Sequence, residues 1–482
     1  MMSYLFQEDS RCLLKQVLNF SRRKKIRLYI VGGFLRDYLL KRSRSNPDID
    51  FCLKKGAISF GRKLSAEIKA GFVVLDKEHG ACRLVKKING LIYTLDFTDF
   101  RGKTLEDDLL HRDFTINTLA LSLGDAALPK EKIVLIDLYD AKEDLGRKII
   151  RIANPKAFDE DPLRILRAFS LSAVLGFKIE SATLKLIKAK RNKLAAVSSE
   201  RLRDELFKVF DRENSYEHLL MMDKHKVLQV VIPEIELMRG ITQGPYHHLD
   251  VLKHSFETVK QLENFLRESK SNKEINNYLN EELSSGRSRH ALLKLGAFLH
   301  DIGKPRAKRR LKGRTMFHGH ERIGSAITTI IARRLKLSNS EIDALRKMVF
   351  WHLRPGYLAD NEEISARANF RYFRDTGQEG VSVLLLSLAD QRATRGRLTS
   401  EESRLTHEKV VIRLIKEYFR RSKEKKLERL VTGNDLMKQF KLSPSPLIGR
   451  VLNHLEELQA IAKIKTKTEA LKAAGIFLKK EG

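Results

Sequence analysis

At 482 residues the chain is too long for one ordinary domain, and 42% hydrophobic residues give three or four units enough apolar content for real cores. Lys and Arg number 92 against 61 Asp and Glu, a formal net charge of +31, which exceeds what solubility needs and points to a polyanionic partner, nucleic acid first. No run approaches the roughly 18 to 20 apolar residues of a membrane span, no secretory apolar region opens the chain, and Cys12, Cys52 and Cys82 show no C-x-x-C spacing. The expectation is a soluble, unexported protein of a reducing cytoplasm, without a membrane, a disulfide framework or a zinc ribbon.

In chain order, residues 29–152 mix short β-rich runs (RLYIVGG, DIDFCL, GFVVL, ACRLVKK, LIYTLDF, KIVLIDL) with helical segments, the pattern of an α+β domain with a small sheet and the only sheet-forming region expected. From Asp159 onward DPLRILRAFSLSAVLGF, SATLKLIKAKRNKLAAV and SERLRDELFKVF place apolar residues at three-and-four spacing, so the remaining two thirds should be mostly α-helical. The polar stretch 264–290 interrupts this pattern and reads as an exposed insertion, and a basic run, RRSKEKKLER, precedes the last helical segment. Expected domains are 1–152, 153–238, 239–400 and 401–482.

VGGFLRD follows the first strand and opens a helix, and PDIDF then delivers Asp48 and Asp50. Residues two apart on a strand face one way, so the two carboxylates converge while Ile49 faces the core. Converging carboxylates beside the pair Gly32 and Gly33 suit nucleotidyl transfer: oxygen ligands for Mg²⁺, and glycines that let a triphosphate approach the backbone. Asp96 or Asp99 could support the metal.

With Arg36 and Asp37 at fixed offsets, the chain resembles the polymerase-β-type nucleotidyltransferases, specifically the bacterial tRNA nucleotidyltransferase and poly(A) polymerase family. That resemblance implies a nucleotidyltransferase head with a small sheet, followed by all-α neck, HD and tail domains. The family's R-R-D-F-T-x-N-A segment is similar to HRDFTINT, implying that Arg112, Asp113 and Asn117 handle the ribose and phosphates of the incoming nucleotide. Its hinge-like segment resembles DLYDAKEDL, with Asp137, Asp144 and Leu145 kept but Ala141 at the expected glycine. Its E-D-x-x-R segment resembles EDPLR, implying that Asp161 and Arg164, projecting from one side of a helix, read the edge of C or A without a template, with Arg167 a further nucleotide contact. Ser170 stands where the family has another Arg, and Glu200, Arg201 and Glu205 are expected to buttress the base-reading helix.

His254, the pair His300 and Asp301, and Asp390 occur in the order H, HD, D within helical, apolar segments. Buried imidazoles and carboxylates need partners, and a divalent metal serves them all. LHDIGKP supplies two ligands from one helix end, with Gly303 and Pro305 ending it, and His320 and His352 could hold a second metal. The segment resembles the HD phosphohydrolase superfamily, implying a transition metal or Mg²⁺ and hydrolysis of phosphate esters. The C-terminal segment 430–471 resembles the family's tail, with Ser445 where Gly is usual, and its lysines suit a tRNA backbone.

The implied activity is addition of the 3′-terminal CCA of tRNA from CTP and ATP, with mRNA-type poly(A) addition as the alternative. In family members that build all of CCA, a flexible loop between the D-x-D strand and R-R-D helps switch from C to A. Here only RGKTLEDDLLH separates Phe100 from Arg112, so addition of the two cytidines alone stands close to even with full CCA addition. The oligomeric state is not readable.

Overall fold

The computed structural model describes residues 8–42, 48–125, 134–311, 314–360, 363–424 and 428–481; Lys132 and Ile133 of the run KIVLIDL, and residues 425–427 of the basic run, lie outside them. The chain forms two compact units, one of Met1–Val209 with Met221–Val231 and the other of Phe210–Leu220 with Ile232–Gly482.

The first unit holds a six-stranded sheet ordered β3-β4-β5-β2-β1-β6, with β1 (Tyr29–Val31), β2 (Asp48–Leu53), β3 (Gly71–Asp76), β4 (Ala81–Ile88), β5 (Leu91–Asp99) and β6 (Ala120–Ser122). Neighbours are antiparallel except β2 and β5, whose parallel register sets Asp50 beside Asp96 and Phe51 beside Phe97. The period of two sends Ile49 and Phe51 to a buried face, where Phe51 stacks on Phe97 with ring centroids 4.8 Å apart and the helix Ala57–Ile68 adds Phe60. Asp48, Asp50 and Asp96 occupy the other face. Behind the sheet the unit is helical, led by Leu163–Leu175 and Ser199–Phe210, so the α+β class with a small N-terminal sheet is observed.

KIVLIDL contributes no strand among the described residues: Ile136 makes only an isolated bridge to Ala120, and the sixth strand is the three-residue β6, too short for a periodic signal. Nor is the sheet the only β-structure. Two-stranded pairs join Ile149–Ile150 to Lys178–Ile179, Glu282–Ser284 to Arg287–Ser288, and Arg309–Leu311 to Arg314–Met316.

The second unit is built on the helices Val251–Glu268, Arg289–Leu299, His320–Arg334, Asn339–Trp351 and Gly380–Ala393. Gly380–Ala393 is buried along nearly its whole length, as its almost unbroken apolar run demands. The stretch 264–290 is not an exposed insertion. It ends one helix, forms another over Lys273–Leu279 and closes with a hairpin. Ile275, Tyr278 and Leu279 are buried, the Tyr278 hydroxyl meets Gln378 O and Ser382 Oγ, and Arg287 makes a paired contact with Glu341 at 2.7 and 3.0 Å. Arg287 and Arg289 are thus spent on buried pairs, while Arg267, Lys270, Lys273 and Glu274 face water. C-terminal to these helices, Leu436, Val451, Leu455, Ile464, Ala470 and Ala474 form a small core of their own. No helix among the described residues is long and apolar enough to cross a membrane.

Candidate active site

In the first unit, carboxylate oxygens of Asp48, Asp50 and Asp96 lie within 4.8 Å of one another, because β2 and β5 run in register. Asp96, not Asp99, joins the pair: Asp99 instead accepts from Ala57 N at 2.7 Å. Arg83 on β4 grips both Asp96 oxygens at 2.8 and 2.7 Å. Burial, then the charge of Asp48, push the Asp50 carboxyl up to about 6, with Asp96 adding to the rise and Arg112 opposing it. A divalent cation would relieve this crowding, so the donor set fits one.

Gly32 closes the site with φ 77°, and a Cβ there would lie 3.1 Å from both Asp50 Oδ2 and Arg112 Nη1. Only glycine takes that backbone and leaves the carboxylate its place. From there a polar chain runs inward: Arg36 donates to Asp37 (2.9 and 2.8 Å) and to Asn117 Oδ1 (2.7 Å), Asn117 donates to Asp113 (2.8 Å), and Arg167 pairs with Asp113 at 2.7 Å. Burial would raise the Asp113 carboxyl, but Arg167, Asn117 and the Phe114 N–H hold it below the usual range. Arg112 is anchored by Asp108 at 3.1 Å. Segments 31–37 and 111–118, distant in sequence, thus form one hydrogen-bonded wall.

In the second unit, one carboxylate organises four imidazoles. Asp301 Oδ2 lies 3.2 Å from His300 Nε2 and 3.8 Å from His254 Nε2; Asp301 Oδ1 lies 3.3 Å from His320 Nε2 and 4.0 Å from His352 Nε2. Asp390 Oδ1 sits 2.8 Å from His254 Nε2. His300, His320 and His352 each direct Nδ1 at the carbonyl three residues back, at 2.8, 2.8 and 2.6 Å, which fixes the tautomer and aims Nε2 inward. Those three Nε2 atoms and Asp301 Oδ1 are buried without a hydrogen-bond partner. Buried polar atoms so placed are costly unless a cation satisfies them, and an N/O set suits a divalent metal. Burial alone would raise both acids, yet His300 and Lys304 hold Asp301, and His254 and His300 hold Asp390, well below the usual range. Burial drives His352 down to about 3, leaving it neutral as a ligand must be. Gly303 is required here, since a Cβ would fall 2.1 Å from His320 O.

Sequence reading missed two groups at this cluster. Lys304 Nζ lies 2.6 Å from Asp301 Oδ2 and 2.6 Å from Gln243 Oε1; its place three residues after Asp301 was the available signal. His247 packs edge-on against His254 with centroids 4.8 Å apart, and nothing in the sequence marked it out from His248.

Residues 28–151 match the family model of the poly A polymerase head domain, residues 176–238 that described as "Probable RNA and SrmB- binding site of polymerase A", and residues 251–395 the HD domain. The A-adding tRNA nucleotidyltransferase of Deinococcus radiodurans is 30% identical over 92% of this chain and 93% of its own. The chain belongs to the tRNA nucleotidyltransferase family. A CC-adding member from Geobacter sulfurreducens is likewise 30% identical, over 94% of this chain and 93% of its own. The fold is shared with the Thermotoga maritima CCA-adding enzyme complexed with tRNA, at TM-score 0.62 and 21% identity over 99% and 97% of the two chains.

As a tRNA nucleotidyltransferase the chain departs from expectation at its E-D-x-x-R segment. Asp161 and Arg164 do not project from one face of a helix. Asp161 is extended (φ −145°, ψ 99°) before Pro162, accepts from Leu163 N at 3.2 Å and pairs with Arg201 at 2.7 Å. A residue before proline is steered from helical to extended backbone, which takes Asp161 out of the helix. Arg164 is 6% exposed and donates to His111 O at 2.7 Å, with longer contacts to Arg112 O, Ala157 O and Glu160. Ser170, replacing the expected Arg, gives its hydroxyl to Glu205. Ala141 starts the helix Ala141–Arg147 and the left-handed turn falls on Asp140 (φ 56°), so no hinge glycine is needed at Ala141. Ser445 is extended (φ −158°) and likewise requires none.

Proposed function

We propose that this enzyme adds cytidine and adenosine nucleotides from CTP and ATP to the 3′ end of tRNA without a template, in the cytoplasm. The observation that supports this most strongly is the convergence of Asp48, Asp50 and Asp96 beside Gly32 and the wall of Arg36, Arg112, Asp113 and Asn117. Asp48 and Asp50 would hold Mg²⁺, with Asp96 steadied by Arg83 behind them; the ion, when bound, neutralises triphosphate charge and eases deprotonation of the attacking 3′-hydroxyl. Gly32, Gly33 and Arg112 receive the triphosphate. Asp113 and Asn117, locked by Arg36, Asp37 and Arg167, meet the ribose, with Asp37 fixing the orientation of Arg36. Asp161, held by Arg201, presents its edge to the base, and Arg164 joins it by exchanging its carbonyl partners for the base. In functional terms residues 1–152 are the transferase head, 153–238 the base-reading neck, 239–400 the HD domain and 401–482 a tRNA-binding tail.

For the second unit we propose hydrolysis of phosphate esters. His254, His300, Asp301 and Asp390 would hold one divalent ion and His320 and His352 a second; such ions activate water as a nucleophile. Lys304 keeps Asp301 charged and in place.

A narrower reading, addition of the two cytidines only, is favoured by the segment before Arg112. The helix Leu105–Leu110, capped by Thr104 and Asp107, fills it, leaving no long loop. Incubation of purified protein and Mg²⁺ with tRNAs ending at the discriminator base, at C and at CC, each with single labelled NTPs, tests both readings. Two cytidines and then a stall support the narrower one, C addition to the discriminator end together with A addition to the CC end supports full CCA addition, and A addition to the CC end without any C addition, or no addition to any tRNA, overturns both.

A further inference from the structure

Beside the histidine–aspartate cluster lies a cavity of about 540 Å³ whose lining includes Trp351, Tyr357, Arg354, Arg367, Arg371 and Glu321. It opens between elements that also carry the cluster: Glu321 follows His320 in one helix, and Trp351 ends the helix that runs into His352. Two features set this cavity apart from an ordinary surface dent.

The first is its aromatic wall. Tyr357 is 63% exposed, and Trp351 is half-buried with the Arg354 guanidinium 4.7 Å from its ring centroid. Large planar side chains kept at a water-facing rim are poorly placed for core packing and well placed to receive another flat group. The second is charge. Arg367 and Arg371 share one carboxylate, Glu457, at 2.5 and 2.7 Å, and Arg374 approaches it at 3.8 Å. Arg354 and Arg374 share Asp375, each at 2.7 Å. Four guanidinium groups thus answer to two carboxylates, and the Arg367 and Arg371 side chains remain 44% and 47% exposed. Arginine donates up to five hydrogen bonds from a planar fork, so Arg367 and Arg371 retain donors for an anion.

A flat ring surface next to surplus guanidinium charge matches one ligand chemistry, a nucleobase joined to a phosphate. We propose that this cavity is a nucleotide subsite, distinct from the head's, in which a base stacks against Tyr357 and Trp351 while its phosphate pairs with Arg367 and Arg371. The ligand is a free nucleoside monophosphate or an unpaired nucleotide of an RNA. The subsite stands whether or not the neighbouring cluster hydrolyses anything.

The chain holds a single tryptophan, and it lies in this cavity, so indole fluorescence reports on the site directly. Full-length protein without added metal is titrated with AMP, with inorganic phosphate and with a short single-stranded oligoribonucleotide. The expected result is saturable quenching by AMP or by the oligonucleotide and none by phosphate. Quenching by AMP identifies the free nucleotide as a ligand; quenching by the oligonucleotide alone identifies the RNA. Tyr357→Ala should weaken the binding roughly five- to a hundredfold, stacking on one ring being worth about 1–3 kcal/mol, and Arg367→Gln should weaken it several-fold, both with unchanged circular dichroism. Asp48→Ala should leave the quenching intact. No quenching by either ligand, or quenching that ignores Tyr357→Ala and Arg367→Gln alike, overturns the proposal.

Discussion

The acidic site on the sheet and the histidine–aspartate cluster solve opposite problems. On the sheet, three half-buried carboxylates lie together, so burial and then the charge of Asp48 push Asp50 up to about 6. In the cluster, Asp301 is 1% exposed and surrounded by imidazoles and Lys304, so it stays charged far below the ordinary range. Three carboxylates at a half-buried sheet face suit a hard cation that keeps waters and arrives with substrate phosphates; a buried set of imidazoles and carboxylates, which supplies its own ligand shell, suits a resident metal.

The largest effect is expected of Asp50→Ala. It should lower nucleotide addition by about a thousandfold or more, each tenfold being about 1.4 kcal/mol of barrier, while tRNA binding in a filter assay and any phosphate-ester hydrolysis persist. Near-normal addition would remove the metal role from the sheet site.

Asp301→Ala should abolish metal retention after gel filtration and reduce hydrolysis of a phosphomonoester at least about a hundredfold, with nucleotide addition spared. If the variant keeps its full metal content by elemental analysis, the four imidazoles do not depend on that carboxylate.

Asp161→Ala should act more on choice than on rate. Misincorporation among the four NTPs should rise about tenfold, the scale of one lost hydrogen-bonding edge; an equal loss with every NTP and no misincorporation would give Asp161 a purely structural part beside Arg201.

The smallest effect concerns protons. A carboxyl raised in the folded state adds stability when protonated, so this contribution is complete below the ordinary carboxylate value and is lost as pH rises through about 6. Asp50→Asn should therefore stabilise the protein by about 1–2 kcal/mol at pH 8 and hardly at all at pH 4, read as the Tm difference at each pH. For the same reason the Mg²⁺ needed for half-maximal addition should fall as pH rises through 6. A Tm difference independent of pH would contradict the raised Asp50 carboxyl, set by burial and then by Asp48.

Both sites were legible where chemistry follows from spacing along one element: the i, i+2 acids of β2, and the adjacent His300 and Asp301. Legibility ended where a partner comes from elsewhere in the fold. Asp96 could not be chosen over Asp99 until the parallel register with β2 placed it, and the Arg83 grip depends on a third strand. The helical pairing of Asp161 with Arg164 failed because Pro162 dictates the backbone of the residue before it. In the stretch 264–290 the burial of Arg287 and Arg289 was not legible because their partners, Glu341 and Glu379, lie far along the chain.

On the proposed function, two metal sites do separate chemistry on one chain. Addition of labelled CMP to tRNA lacking its 3′ end by the His300→Ala variant, titrated with Mg²⁺ beside the wild type, separates them. The expected result is the same maximal rate and the same Mg²⁺ dependence, with hydrolysis gone. Loss of addition in a His300→Ala protein whose Tm and tRNA binding are normal would contradict it.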